Sequence, residues 1–173
     1  METQEIKPLY KHSSSYAREH QELDQFRASH WENVACRKAI EDAISTSFDG
    51  HHLDMAAVTD VLEAYGAERM KFVLASTVHE KSWDGRFSKD NKEWAEQHCK
   101  LTDDLDNGQY YDHRQEYAVS SHPAVLDGYV TMARKKIRER QAPSIQSALK
   151  EAQDNRQPHL PNRQTGKKVQ QER

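Results

Sequence analysis

The junction Tyr65-Gly66-Ala67 constrains the fold of this chain more than any other three residues. Before it, Val58, Val61, Leu62 and Tyr65 recur at the spacing of one helical face. After it, Met70, Val73, Leu74, Thr77 and Val78 repeat the pattern over residues 67–80. Gly66 sits where a helix ends, at the position that favours a residue without Cβ. Asp54 is placed to cap the start of the first of these helices. Two amphipathic helices joined by so short a link fold back on each other as a hairpin. The chain is therefore built on helix-to-helix packing.

The flanking sequence extends this reading. Residues 13–28, with Tyr16, Leu23 and Phe26 in a charged background, predict one amphipathic helix. Ser29-His30-Trp31-Glu32 matches a capping box, so a second helix is expected to start near residue 30. Its buried face is Cys36, Ile40, Ala43 and Ile44, and Phe48-Asp49-Gly50 ends it. Ser88 caps a short helix over residues 88–98, with Trp94 on its apolar side. Ser121-His122-Pro123 opens a last helix, with Leu126, Tyr129, Val130, Ala133 and Ile137 inward. Cations at 134–138 suit its C-terminal end.

Two regions depart from the helical pattern. Asn107-Gly108 is a hairpin signal, and Gln109-Tyr110-Tyr111 with Tyr117-Ala118-Val119 predicts a small β-hairpin. Beyond residue 140 the chain is polar, with Ser144 to Ala152 suited to two more helical turns. Residues 153–173 hold five Lys/Arg against two Asp/Glu, which leaves the rest of the chain at −6 against a net −3. A segment of that composition cannot bury enough apolar surface to order itself. The expected architecture is a mainly α single-domain bundle of five to six helices over residues 7–140. A small β-hairpin is set into it, and residues 141–173 form a polar, basic, disordered tail.

Charge and composition narrow the function. With 35% hydrophobic and 31% charged residues, the core is modest. A net charge of −3 gives no global basic field that demands nucleic acid. Cys36 and Cys99 suit a reducing cytoplasm as unpaired thiols, with a single disulfide as the alternative. The N-terminal residues lack the basic start and apolar run of a secretion signal, and no apolar stretch is long enough to span a bilayer. A soluble, cytoplasmic protein is expected.

The chemical motifs fail one after another. An EF-hand register that puts Gly108 at loop position six places Leu105 at position three and Arg114 at position twelve, where oxygen ligands belong. Asp103, Asp104 and Asp106 therefore read as a solvated acidic turn. His51-His52 and His98-Cys99 are adjacent pairs that do not share a face, and no zinc-type spacing occurs. No nucleophile elbow, phosphate loop or dinucleotide fingerprint is present. The expectation is a protein that is not an enzyme and takes no metal and no cofactor. The basic run Arg134, Lys135, Lys136 and Arg138 either binds phosphates or is a solvated helix end.

The segment from Trp83 to Trp94 remains. It places two of the three tryptophans around an Asp-Gly turn, and Gly85 is expected to bend the chain by taking a positive φ. Either the turn is packed, or Trp83, Asp84, Arg86 and Phe87 form a presented contact surface. Trp, Tyr and Arg are the residue types that anchor interfaces.

Pro8-Leu9-Tyr10, Tyr16-Ala17-Arg18-Glu19, Cys36-Arg37-Lys38-Ala39-Ile40, Gly66-Ala67-Glu68-Arg69, Trp83-Asp84-Gly85-Arg86-Phe87-Ser88 and Ser121-His122-Pro123 together resemble an uncharacterised domain of Firmicutes. That domain is found in conjugative elements and phages of gut bacteria. The resemblance runs over about residues 7 to 140, and the Trp83-to-Ser88 block is its most specific part. It implies a protein that helps a mobile element survive or move in its host. Some members of that pool resemble anti-CRISPR proteins acting on Cas9. The implied function is a non-enzymatic inhibitor that binds a host CRISPR effector nuclease, Cas9 or its guide RNA complex, and blocks DNA binding or cleavage. Trp83, Asp84, Arg86, Phe87, Asp103, Asp104 and Asp106 are the candidate contacts. The alternative is a DNA-binding accessory protein of element maintenance that uses Arg134, Lys135, Lys136 and Arg138.

Overall fold

The fourth helix carries the structure because nearly all of its circumference is covered. The computed structural model describes residues 5–100 and 116–154, with the backbone alone for residues 142–147. Six helices occur among the described residues: α1 (Ser14–Glu19), α2 (Leu23–Ser47), α3 (Ala56–Tyr65), α4 (Ala67–Glu80), α5 (Lys89–His98) and α6 (Pro123–Asp154). In α4, Arg69, Met70 and the run from Phe72 to Val78 are all buried. A helix buried on so much of its surface has to be wrapped by others. It packs against α2 and α3 on one side and α5 on the other.

The helix break at Gly66 is as the sequence predicts. Gly66 takes φ 84°, its N–H donates to the Leu62 carbonyl, and α4 begins at the next residue. An added Cβ at Gly66 would lie 3.0 Å from Ile6 Cγ2, so the position is closed by conformation and by space. Asp54 Oδ1 accepts from the Ala56 amide at 2.9 Å and Ser88 Oγ from the Asn91 amide at 3.2 Å, as expected of caps. Leu126, Tyr129, Val130, Ala133 and Ile137 of α6 complete the core with Cys36, Ile40 and Ile44 of α2. Tyr129 is fully buried, and its hydroxyl donates to the Ala57 carbonyl at 2.9 Å, which supplies the partner a buried phenol needs.

The chain divides into two units, residues 1–138 and 139–173. Helix α6 runs without interruption to Asp154 and so takes in the first part of the segment expected to be a tail. In the second unit the described side chains are exposed, Leu149 among them. Residues 155–173 lie outside the described residues.

Three local expectations are overturned. The predicted β-hairpin is absent among the described residues: 109–115 lie outside them, and 117–119 belong to no sheet. Tyr117 and Val119 are buried while Ala118 between them is half-buried, so the alternation read as a strand is real. Its polar partners, however, are side chains rather than another strand. The Val119 amide donates to Thr77 Oγ1 at 3.1 Å, Lys81 Nζ donates to the Val119 carbonyl at 2.8 Å, and the Ser120 amide donates to Glu41 Oε1 at 2.9 Å. Residues 116–117 form a 3₁₀ turn, so the alternating burial here belongs to a loop packed on α2 and α4. The second correction is the capping box at Ser29, which lies inside α2 rather than at its start. The third is the single helix over residues 13–28, which breaks between Glu19 and Leu23 with Gln21 at φ 60°.

Ser29 is unavailable as a cap because its hydroxyl serves a tertiary contact. Arg69, 1% exposed, donates from Nε to Asn33 Oδ1 at 2.9 Å and from Nη2 to Ser29 Oγ at 3.1 Å. The same guanidinium donates to the Lys7 carbonyl at 2.7 Å and the Pro8 carbonyl at 3.1 Å. Burial lowers its pKa, and the nearby Glu32 carboxylate opposes that shift. One buried cation thus ties the N-terminal arm to α2 and α4. Replacing it leaves several buried acceptors without donors, each costing about 1–3 kcal/mol. Arg69→Met is therefore expected to lower the unfolding free energy by about 3 kcal/mol in urea titration. Arg69→Lys is expected to recover little of this, since a single ammonium cannot reproduce the planar fork. Wild-type stability in Arg69→Met would refute the assignment.

Candidate functional site

The turn between α4 and α5 is bent by an aspartate rather than by its glycine. Gly85 does not adopt a positive φ, unlike Gly50 and Gly66, and an added Cβ there meets nothing within 4 Å. The bend comes instead from Asp84, whose Oδ1 accepts from the Arg86 amide at 3.0 Å in an Asx turn. Around it the Ser82 amide donates to the His79 carbonyl at 3.2 Å and the Asp84 amide to the Lys81 carbonyl at 2.9 Å. The Phe87 amide in turn donates to the Asp84 carbonyl at 3.4 Å. These bonds give consecutive tight turns with their backbone groups engaged.

Asp84 and Arg86 then pair in a two-point geometry. Arg86 Nε donates to Oδ1 at 3.0 Å and Nη2 to Oδ2 at 2.7 Å. The Arg86 hydrogen bonds, from side chain first and backbone second, hold the Asp84 carboxyl down at about 2 against an ordinary 3.8. The partnership raises the Arg86 guanidinium in return. Arg86 Nη1 also lies 3.4 Å from His122 Nε2, at the entrance to α6.

A second polar cluster locks this turn to α6. The Ser88 amide donates to Asp127 Oδ1 at 2.9 Å. Asn91, completely buried, donates from Nδ2 to Asp127 Oδ1 at 2.7 Å and to Thr131 Oγ1 at 3.0 Å. Asn91 Oδ1 accepts from Arg134 Nη1 at 2.8 Å, and the Arg134 guanidinium lies 5.6 Å from the centre of the Trp94 ring. Its donors and its acceptor are all used, the condition under which a buried amide stabilises rather than costs.

On this fixed platform the two indoles part company. Trp94 is half-buried and packs on the core, whereas Trp83 is 80% exposed. Phe87, 3% exposed, fills the core beneath the turn and offers no surface to a partner. Asp84 is likewise buried, 5% exposed, and acts by positioning Arg86, whose side chain remains half exposed. Asp103, Asp104 and Asp106 lie outside the described residues. Of the basic run, Arg134 is engaged by Asn91 and Trp94, Lys136 is half-buried, and Lys135 and Arg138 are exposed. Arg138 stands four residues from Arg134 and three from Lys135 and so neighbours both on the helix surface, while Lys136, two residues from Arg138, does not face it.

Sequence reasoning missed Arg69, Asn91 and the exposed Trp31, whose indole is 66% exposed on α2. Arg69 had a signal: it stands at the helical spacing of Phe72, Val73 and Ser76, a cation on an apolar stripe. Asn91 stands likewise four residues before buried Ala95. Among the described residues, no three His, Cys, Asp or Glu side chains gather as a metal site. None of the described helices is long and apolar enough to cross a membrane.

The fold and the turn place this chain among known sequences only at the level of a family. The chain belongs to the DUF3849 family of proteins of unknown function. The match covers residues 9–138, which takes in Arg69, the Trp83 turn and the Asn91 cluster, and it stops where the first unit ends. No curated protein and no solved structure matches the chain. The DUF3849 region of this protein thus presents an exposed indole on a hydrogen-bonded turn.

The pairing within that turn has a pH signature. The folded Asp84 carboxyl lies below its ordinary 3.8, so its contribution to stability is present above that pH and is lost as pH falls towards about 2. In an NMR titration Asp84 is expected to protonate near pH 2, and in Arg86→Gln to return towards 3.8. An unshifted carboxyl in the wild-type protein would contradict the pairing.

Proposed function

We propose that this DUF3849 protein is a non-enzymatic binding protein that docks on a protein partner through Trp83 and the adjoining Arg86. The observation that carries this reading is an indole 80% exposed on a turn fixed by Asp84 and by Asn91. Exposing so large an apolar ring costs hydration free energy, and holding it rigid removes the entropy that a partner would otherwise have to quench. Trp and Arg together are the residue types that dominate interface energetics. The backbone bonds inside the turn make Trp83 a fixed projection rather than a mobile one.

The partner assigned to this surface is a host defence nuclease, a type II CRISPR Cas9, bound in the cytoplasm so that DNA loading or cleavage is blocked. This rests on the resemblance to a mobile-element domain. Asp103, Asp104 and Asp106 would add charge complementary to a Lys/Arg-lined nucleic-acid channel. The DNA-binding alternative has less support, because Arg134 already serves Asn91 and Trp94.

Purified protein is expected to be retained by Cas9, guide-loaded or guide-free, and to slow target cleavage. Trp83→Ala is expected to weaken that binding about thirtyfold, the scale of an interface anchor, with its melting temperature unchanged. No retention in either form, with cleavage unaffected, refutes Cas9 as partner. Full affinity in Trp83→Ala refutes the turn as the contact. Salt-sensitive binding to bare duplex DNA would move the assignment to the alternative.

A further inference from the structure

The connection between α1 and α2 is broken against its own sequence. His20-Gln21-Glu22 contains neither Gly nor Pro, and Ala17, Arg18, Glu19, Leu23 and Gln25 around it are good helix formers. The apolar pattern there calls for a single helix. Yet Gln21 takes φ 60°, the only positive φ at a non-glycine position among the described residues. A residue with a Cβ adopts that left-handed conformation at a cost, and no glycine relieves it here.

The break is closed locally as a helix C-terminus and held from the arm. The Glu22 amide donates to the Ala17 carbonyl at 2.7 Å, which closes the turn, and the Tyr10 hydroxyl donates to Glu22 Oε2 at 2.7 Å. Folding back at this point brings the arm over α2 and α4. There Lys7 and Pro8 give their carbonyls to Arg69, and the Tyr10 amide donates to Ser29 Oγ at 2.9 Å. Lys7 also pairs with Glu32 at 3.2 Å and Lys11 with Glu68 at 3.4 Å, both at the surface. Ile6, 49% exposed, buries only part of itself over Gly66. The arm is thus held by directional polar bonds to a seat made of α2 and α4, by the Tyr10 ring against Phe26 and by the buried Ala17. Nothing in that seat requires the arm to come from the same chain.

We propose that residues 5–20 exchange between two copies of this protein. In the exchanged form α1 and α2 join as one helix over residues 14–47, and Gln21 returns to the right-handed region. Each arm then seats its Lys7 and Pro8 carbonyls on Arg69 of the other copy. The contacts of the arm with its seat are regained, the Glu22–Ala17 turn bond gives way to regular helical bonds, and the two strained hinges are removed. The opposing term is the entropy of association, so exchange is concentration-dependent. This inference is independent of the Trp83 surface and stands or falls without it.

Residue 21 is the handle for the test. Gln21→Gly suits the left-handed hinge and weakens a continuous helix, whereas Gln21→Ala does the reverse. The side chain is exposed, so neither change disturbs the core. Because the hinge occurs twice in an exchanged dimer, the Ala variant is expected to dimerise about a thousandfold more strongly than the Gly variant. Light scattering over a range of protein concentrations reads this difference. A second measurement identifies which chain supplies the arm: Lys7→Cys with Glu32→Cys, joined by a short thiol-reactive crosslinker. Cys36 and Cys99 are buried and do not compete. Crosslinks between chains in the dimer fraction support the exchange. Crosslinks confined within single chains, or a dimer indifferent to residue 21, overturn it.

Discussion

A guanidinium removed from water has to be given acceptors, and in this protein that requirement organises the whole first unit. Arg69 reaches four of them on two separate pieces of chain: Asn33 and Ser29 on α2, and the Lys7 and Pro8 carbonyls on the arm. Among the described residues no carboxylate bonds to it, so the clamp depends on neutral oxygens held at defined positions by α2 and by the arm. Hydrophobic contact alone is non-directional and would leave α2 free to slide along α4. The planar fork of Arg69 fixes both the register between these helices and the path of the arm.

A similar logic operates at the other end of α4. Asn91 is a neutral group, yet it is completely buried and bonded to Asp127, Thr131 and Arg134, so α5 and α6 meet in one orientation. The Asp84–Arg86 pair then shapes the connection between α4 and α5. Polar groups placed in the interior thus determine where the surface features point. Trp83 owes its exposure to this arrangement: Phe87 and Trp94, close by in sequence, are turned inward by the same turn and helix.

Legibility from sequence followed the range of the interaction concerned. The helix break at Gly66, the caps at Asp54 and Ser88, and the buried face of α6 are each visible in local spacing. The predicted Gly85 bend failed because an aspartate side chain supplied the turn that a left-handed glycine would have supplied. The predicted strand at 117–119 failed because alternating burial also arises in a loop packed on helices and does not name its hydrogen-bond partner. The capping motif at Ser29 failed because Arg69, forty residues away, uses the same hydroxyl. At the candidate site, the importance of the Trp83-to-Ser88 block could be read from residue type. Which ring faces outward could not.

The amino-acid order alone determined a helical protein, the helix break at Gly66, the inward residues of α4 and α6, and a polar C-terminal segment with too little apolar content to build a core. These follow from helical periodicity, backbone freedom and composition, all of which act over a few residues. Only the folded chain decided that Ser29 bonds to Arg69, that Gln21 is bent against its helix propensity, and that Trp83 rather than Trp94 meets solvent. Each of those outcomes depends on groups distant in sequence competing for the same donors, acceptors and space. That competition exists only once the helices are packed together.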